Sequence, residues 1–200
     1  MTEKINFFNN IFDGEMLPYE RYKLYNWISE IRPTLVLEVG TGNGGGSTYF
    51  ISKSIKDNNL NSTIHTCDPV RKPDNEFFNV FDFVKFYKTN SDVMINDLLK
   101  NNLIPDFIMF DGPEDPSVAL NDIIVLENFI SNGTYFCMHD WDHYRPYDKA
   151  HSTKSIKIKD YIENSEKWSL VERLFADRKN SDFDDLPYDS VGLCLYKFNK

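Results

Sequence analysis

Short apolar runs alternate with amphipathic stretches along most of the chain. Leu35, Val36, Leu37 and Val39 form the first run, interrupted by one acid, Glu38. A Val- and Leu-rich run of this length suits a strand covered on both faces of a parallel sheet. Residues 62–68, 83–89, 106–111 and 134–138 read as the second to fifth strands. Between them the apolar spacing changes to a helical period over Thr48–Lys56, Val93–Lys100 and Pro116–Ile130, with a shorter helix inside Glu76–Phe83. The longest of these is apolar at Val118, Ile123, Ile124, Leu126, Phe129 and Ile130, and Ser131-Asn132-Gly133 stops it. Ahead of the first strand, Tyr22, Leu24, Tyr25, Ile28 and Ile31 place a helix over Tyr19–Ile31, ended by Arg32-Pro33. This helix is expected to pack against its neighbours, with a lid over a ligand as the competing role. Strand–helix alternation predicts right-handed parallel connections. After the fifth strand the pattern gives a helix at Ser152–Ser165, then strands at Trp168–Ala176 and Ser190–Phe198. Two strands in succession predict an antiparallel hairpin at the sheet edge.

The densest chemistry follows the first strand. Gly40, Gly42, Gly44, Gly45 and Gly46 precede Ser47 and Thr48, where a helix opens. Glycines permit a tight turn and let backbone approach a ligand that a Cβ would exclude. Amides at the following helix N-terminus face an anion. The stretch is therefore built to hold a nucleotide-like cofactor. Gly40-x-Gly42-x-x-Gly45 also satisfies the dinucleotide fingerprint, so the glycines alone do not select the cofactor. Asp68 lies about one βαβ unit downstream and suits ribose hydroxyls, although an Asp before Pro69 is also a common turn. Ser91 reads as a helix N-cap with Asp92 in the first turn. Glu38, Asp68, Asp111 and Asp140 all fall at or near strand carboxyl ends, where open α/β sheets bind ligands.

Glu38 two residues before the first glycine, followed by G-T-G-x-G, resembles motif I of the class I S-adenosylmethionine (SAM) methyltransferases. The segment D-F-I-M-F-D-G from Asp106, a helix containing Asp122, and N-G-T-Y-F-C-M-H-D-W ending at Trp141 is similar to bacterial small-molecule O-methyltransferases. Macrocin O-methyltransferase and the cephalosporin hydroxylase-like proteins stand near that group. The resemblance spans about Leu35 to Trp141. It implies a Rossmann-like doubly wound sheet, mostly parallel, of seven strands with the C-terminal hairpin antiparallel. Residues 34–200 form the SAM-binding domain in this reading, and residues 1–33 an N-terminal extension with a helix.

The resemblance further implies cofactor contacts from Glu38, Gly40, Gly42, Gly44, Ser47, Asp68, Ser91, Asp92 and Asp111. It implies catalytic roles for His139, Asp111 and Asp140. In metal-dependent relatives, acids at the fourth and fifth strand ends hold a magnesium ion, which nominates Asp111 and Asp140, with Asp142 or His139 as third ligand. The chain departs from that pattern twice: Glu114 stands where the group has a histidine, and Trp141, which cannot ligate, where the catechol type has Asn. Methyl transfer to an oxygen needs the acceptor aligned and its proton removed, either by His139 or His143 as base or with help from the metal.

Composition narrows the partners. The 200 residues are 41% hydrophobic and 15% aromatic, ample for a core. A net charge of −9 argues against nucleic acid, and no Lys/Arg cluster with interleaved aromatics offsets it. A small-molecule substrate is expected, with Tyr144, Arg145 and Tyr147 as walls of its pocket; a homo-oligomer stays open. No apolar run reaches membrane-spanning length and the first ten residues lack a signal pattern, so a cytoplasmic protein with no membrane partner is expected. Cys67, Cys137 and Cys194 sit in strand-like surroundings and read as buried free thiols. Two rival readings are an NAD(P)-dependent oxidoreductase and a non-catalytic SAM-binding protein. Against the first stand Glu38, a chain with little room for a substrate domain, and no Tyr-x-x-x-Lys pair.

Overall fold

The computed structural model describes residues 16, 18–113, 115–141, 155–174 and 192–200. Its helices are α1 (Pro18–Ile31), α2 (Ser47–Asp57), α3 (Asn75–Val80), α4 (Ser91–Lys100), α5 (Pro116–Glu127) and α6 (Ile156–Glu163). Its strands are β1 (Leu35–Val39), β2 (Thr63–Cys67), β3 (Val84–Tyr87), β4 (Phe107–Phe110), β5 (Tyr135–His139), β6 (Trp168–Leu174) and β7 (Leu193–Phe198). The sheet order is β3-β2-β1-β4-β5-β7-β6, the Rossmann-like, mostly parallel seven-stranded sheet that the resemblance implies. The chain divides into two compact units between Met109 and Phe110.

In the first unit β1 pairs in parallel with β2, and β2 with β3. All five β1 residues are buried, which explains their near-continuous apolar character. The start of β1 is fixed by the Asp106 carboxylate, which accepts from Thr34 N, Thr34 Oγ1 and Leu35 N at 2.7–3.1 Å. Helix α1 packs on α2, with Ser54 Oγ donating to the Tyr25 carbonyl at 2.7 Å and Tyr25 Oη to Asp57 at 3.1 Å. The core draws on Leu24, Ile28, Val36, Leu37, Ile51 and Ile55. Behind α2, Tyr49, Phe77, Phe81 and Phe83 form a chain of ring contacts. His65 is 2% exposed and its Nδ1 lies 2.8 Å from Tyr87 Oη. Burial, then Lys85, pushes its pKa down to about 4, against a smaller opposing pull from Asp97.

In the second unit β7 pairs antiparallel with both β5 and β6, the latter across a bulge between Leu170 and Glu172. The predicted hairpin is therefore present, with β7 inserted between β5 and β6. Phe136, Trp168 and Phe198 stack edge-to-face or tilted at the core. The buried Glu127 carboxylate joins the elements: it accepts from Trp168 Nε1 at 2.6 Å, Lys167 Nζ at 2.7 Å and Tyr161 Oη at 2.8 Å. Pro116 sits at the first position of α5, and Asp115 caps it by accepting from Ser117 N at 2.8 Å. Hydrogen bonding from the Ser117 backbone and side chain holds the Asp115 carboxyl below its usual range.

Several expected boundaries shift. Helix α4 begins at Ser91, not Val93, because Asn90 stays extended (φ −71°, ψ 159°) and accepts from Met94 N. Ser91 is thus the first helical residue, and its N-cap role is corrected to Asn90, which makes no side-chain cap bond. Helix α5 ends at Glu127, leaving Phe129 49% exposed. His139 closes β5 instead of following it, since it pairs with Leu193. All three cysteines are free and buried. No helix among the described residues is long and apolar enough to cross a membrane.

Candidate functional site

The glycine turn is shaped by one buried acid. Glu38 is fully buried, and its carboxylate accepts from Ser47 Oγ at 2.6 Å, Thr48 Oγ1 at 2.7 Å and Thr66 Oγ1 at 2.6 Å. These hydroxyls come from the opening of α2 and from β2, so Glu38 ties the turn to both. Glu38 and Thr66 are register partners across β1 and β2. Because the Thr66 proton goes to Glu38, the 2.6 Å contact between Thr41 and Thr66 has Thr41 as donor. Backbone bonds complete the turn: Gly40 N and Thr41 N both donate to Cys67 O, and Gly44 N to Thr41 O.

The glycines differ in what they do. Gly40, Gly42 and Gly44 have φ of 100°, 56° and 86°, the left-handed region that glycine reaches without a Cβ penalty. A Cβ on Gly44 would lie 3.0 Å from Pro73 Cγ and 3.3 Å from Phe77 Cδ2, so this position needs glycine for packing. At Gly42 and Gly46 the same construction meets no atom within 4 Å. Gly46 is also the N-cap of α2, and no side chain caps that end. Bare backbone and uncapped amides thus stand beside open space.

Asp68 is half-buried and already organises the loop after β2. Its Oδ2 accepts from Gly42 N at 3.0 Å, and its Oδ1 from Val70 N and Arg71 N at 2.8 Å each. The turn role and the link to the glycine loop are therefore the same contact set. Ser91 is buried and Asp92 exposed at the first turn of α4. Ser47, nominated for a ligand, spends its hydroxyl on Glu38.

The second unit brings three nominated residues together. His139 Nδ1 lies 3.2 Å from Asp111 Oδ1 and 3.3 Å from Asp140 Oδ1. The imidazole is held at 4% exposure, while the Asp111 and Asp140 side chains keep 22% and 17%. One donor atom from each residue lies within 4.8 Å of the others, a spacing that suits a shared proton or a cation. Asp140 has φ 57°, a conformation that Asp tolerates better than most residues. The peptide that follows it is fixed: Trp141 N donates to Gly192 O at 3.0 Å, and Ser155 Oγ approaches the carbonyls of Asp140 and Trp141 at 3.0 and 3.1 Å. Trp141 itself is 1% exposed, packed on Tyr196 and under Lys159 Nζ. It is a packing residue where catechol-type relatives have a ligand. Asp142, His143, Glu114, Tyr144, Arg145 and Tyr147 lie outside the described residues.

The bonding roles of Thr66, Thr41 and Ser155 carry no motif signal in the sequence. Only Thr66 leaves a trace there, two residues before Asp68 on a strand that must lie beside the glycine turn.

None of the curated proteins matches the chain in sequence. Several solved structures share its fold at low identity. The O-methyltransferase of Bacillus cereus in complex with SAH is 12% identical with a TM-score of 0.66, covering 98% of this chain and 89% of that one. TomG of Streptomyces achromogenes, an O-methyltransferase of tomaymycin synthesis in complex with SAM, is 11% identical with a TM-score of 0.66, covering 98% and 87%. The SAH-bound methyltransferase PaMTH1 of Podospora anserina is 16% identical with a TM-score of 0.65, covering 100% and 87%. At these identities the likeness establishes the fold. A family model described as a methyltransferase domain matches residues 37–141, just over half of the chain, from β1 through the glycine turn to Trp141. The chain belongs to this methyltransferase family.

Proposed function

We propose that the protein is a SAM-dependent O-methyltransferase that acts on a hydroxyl of a small molecule such as a sugar or a natural-product intermediate. The cofactor assignment rests on the glycine turn. Open space at Gly42 and Gly46 gives a ligand bare backbone to lie against, and the uncapped amides of α2 suit a carboxylate. Asp68 accepts three amide bonds, and a carboxylate offers about four acceptor sites, which leaves capacity for a ribose hydroxyl. Ser91 and Asp92, opening α4, complete the proposed contacts. The three solved relatives named above, bound to SAM or SAH, support the same assignment. SAM supplies an electrophilic methyl carbon on a sulfonium centre.

Transfer to oxygen is carried by one observation, the juxtaposition of Asp111, His139 and Asp140. A neutral amine presents its lone pair directly, whereas an alcohol is a weak nucleophile until its proton is withdrawn. A buried imidazole between two carboxylates is suited to that withdrawal. Magnesium fits this trio poorly, because it takes oxygen ligands and one donor here is a ring nitrogen; no step is assigned to it. The acids after β4 and β5 also favour the small-molecule subgroup near macrocin O-methyltransferase.

The test is transfer of labelled methyl from SAM to a panel of hydroxylated sugars and phenols with matching amines. Label on an ether, lost in Asp111→Asn and His139→Gln while SAH still binds, is the expected result. Label on amines alone contradicts transfer to oxygen.

A further inference from the structure

We infer that the outward face of α5 is the contact surface of a two-fold dimer, in which the helix lies antiparallel on the same helix of a second copy. This goes beyond methyl transfer and does not depend on it.

The face is apolar and carries no charge. Ile124, Val125 and Phe129 are 40%, 39% and 49% exposed. The other exposed residues between Pro116 and Asn132 are Asn121, Asn128, Ser131 and Asn132, all neutral. The two acids of that stretch, Asp122 and Glu127, are buried. Charged residues make up 26% of the chain, so an exposed helical face without one stands apart from the rest of the surface. Apolar side chains gathered on one face mark an interaction site, whereas scattered ones do not.

A second copy suits this surface better than a charged partner, which would find no ion pair here. The chain has a net charge of −9, so two copies repel one another least where they meet on neutral surface. The spacing is also self-complementary. Asn121, Ile124, Val125 and Asn128 follow the i, i+3, i+4, i+7 order of one helical stripe. Asn128 keeps helical angles past the last turn (φ −74°, ψ −17°). With a two-fold axis between Ile124 and Val125, antiparallel packing sets Ile124 against the partner's Val125 and Asn121 against the partner's Asn128. Asn128 Nδ2 donates to Ile124 O at 3.0 Å, which leaves its carbonyl oxygen to accept from the partner's Asn121. A polar pair of this kind fixes register in helix pairs. The exposed Leu170 and Val171 on the β6 edge are less suited, because a β-bulge sits between Leu170 and Glu172 and bulges turn an edge away from pairing.

The experiment is analytical ultracentrifugation of the full chain over a concentration series. One helical stripe lies at the small end of specific interfaces, so a dimer that dissociates on dilution through about 10 μM is the expected result. Val125→Glu sets an acid beside the axis, close to its own copy, and is expected to raise the dissociation constant about a hundredfold. Its urea midpoint should stay near the parent's, because the side chain is exposed. Leu170→Glu, on the other exposed apolar pair, is expected to leave the dimer intact. Mixing Asn121→Cys chains with Asn128→Cys chains under mild oxidation should give a covalent pair that neither variant gives alone. A chain that stays monomeric at about 0.5 mM, a dimer that survives Val125→Glu, or one lost in Leu170→Glu overturns the inference.

Discussion

Glu38 lies wholly buried with neutral hydroxyls donating to both of its oxygens, whereas Asp111 and Asp140 stay partly exposed and share a single imidazole nitrogen. The first arrangement answers a buried carboxylate with donors from α2 and β2, so its product is shape. It leaves glycine backbone open where a Cβ would stand, and the acid itself is enclosed. The second arrangement sets two acceptors on one nitrogen and keeps surface exposed, so a proton or an ion can enter. One buried acid organises the glycine turn; the two part-exposed acids form the reactive group proposed above.

The sharpest way to separate these roles is to remove chemistry without removing the loop. His139→Gln is expected to lower the rate of methyl transfer by about 10²–10⁴, the usual worth of a positioned proton-transfer group. SAH affinity, read by calorimetry, should stay near that of the parent protein. Loss of both would merge the two sites into one function.

Glu38→Ala reverses the pattern. Three buried hydroxyls lose their acceptor, and the expected cost is about 3–5 kcal/mol, read as a lower urea midpoint, with SAH binding lost as well. A stable variant that still binds SAH would show that the loop does not need its clamp.

Two glycines give a finer contrast. At Gly44→Ala the left-handed φ and the 3.0 Å approach to Pro73 together predict a loss of about 1–3 kcal/mol in urea unfolding. Gly46→Ala meets no atom of the chain within 4 Å, so its packing cost should be smaller than at Gly44. Its SAH affinity should nevertheless fall about tenfold or more, because the new methyl group occupies space assigned to the ligand.

The smallest effect lies away from both sites. His65 is held neutral with a pKa near 4, against about 6.5 in the unfolded chain. Between those values the unfolded chain takes up a proton that the native ring refuses, so stability falls as pH drops from about 6.5 toward 4. His65→Gln removes that contribution. Its urea midpoint should therefore decline less than the parent's between neutral and mildly acidic pH.

The sequence carried the strands, the glycine turn and the acids at strand ends because each rests on local pattern. Buried parallel strands are continuous apolar runs, and left-handed turns select glycine. It did not disclose what Glu38 does, since Thr66 lies 28 residues away and meets it only through the β1–β2 register. The Glu127 junction was hidden for the same reason: its partners Tyr161, Lys167 and Trp168 arrive from α6 and the start of β6. Asp111 and Asp140 were legible as strand-end acids, but the placement of His139 between them depends on β5 ending one residue later than its pattern suggests. Trp141 reads as a lost ligand in the sequence and as a packed wedge against Tyr196 in the structure.

The most direct test of the central claim is calorimetric titration of the full chain with SAM, SAH and NAD(H). The account predicts one site per chain for SAM and SAH, no heat with NAD(H), and loss of binding in Glu38→Ala. Binding of NAD(H) without SAM or SAH would contradict it.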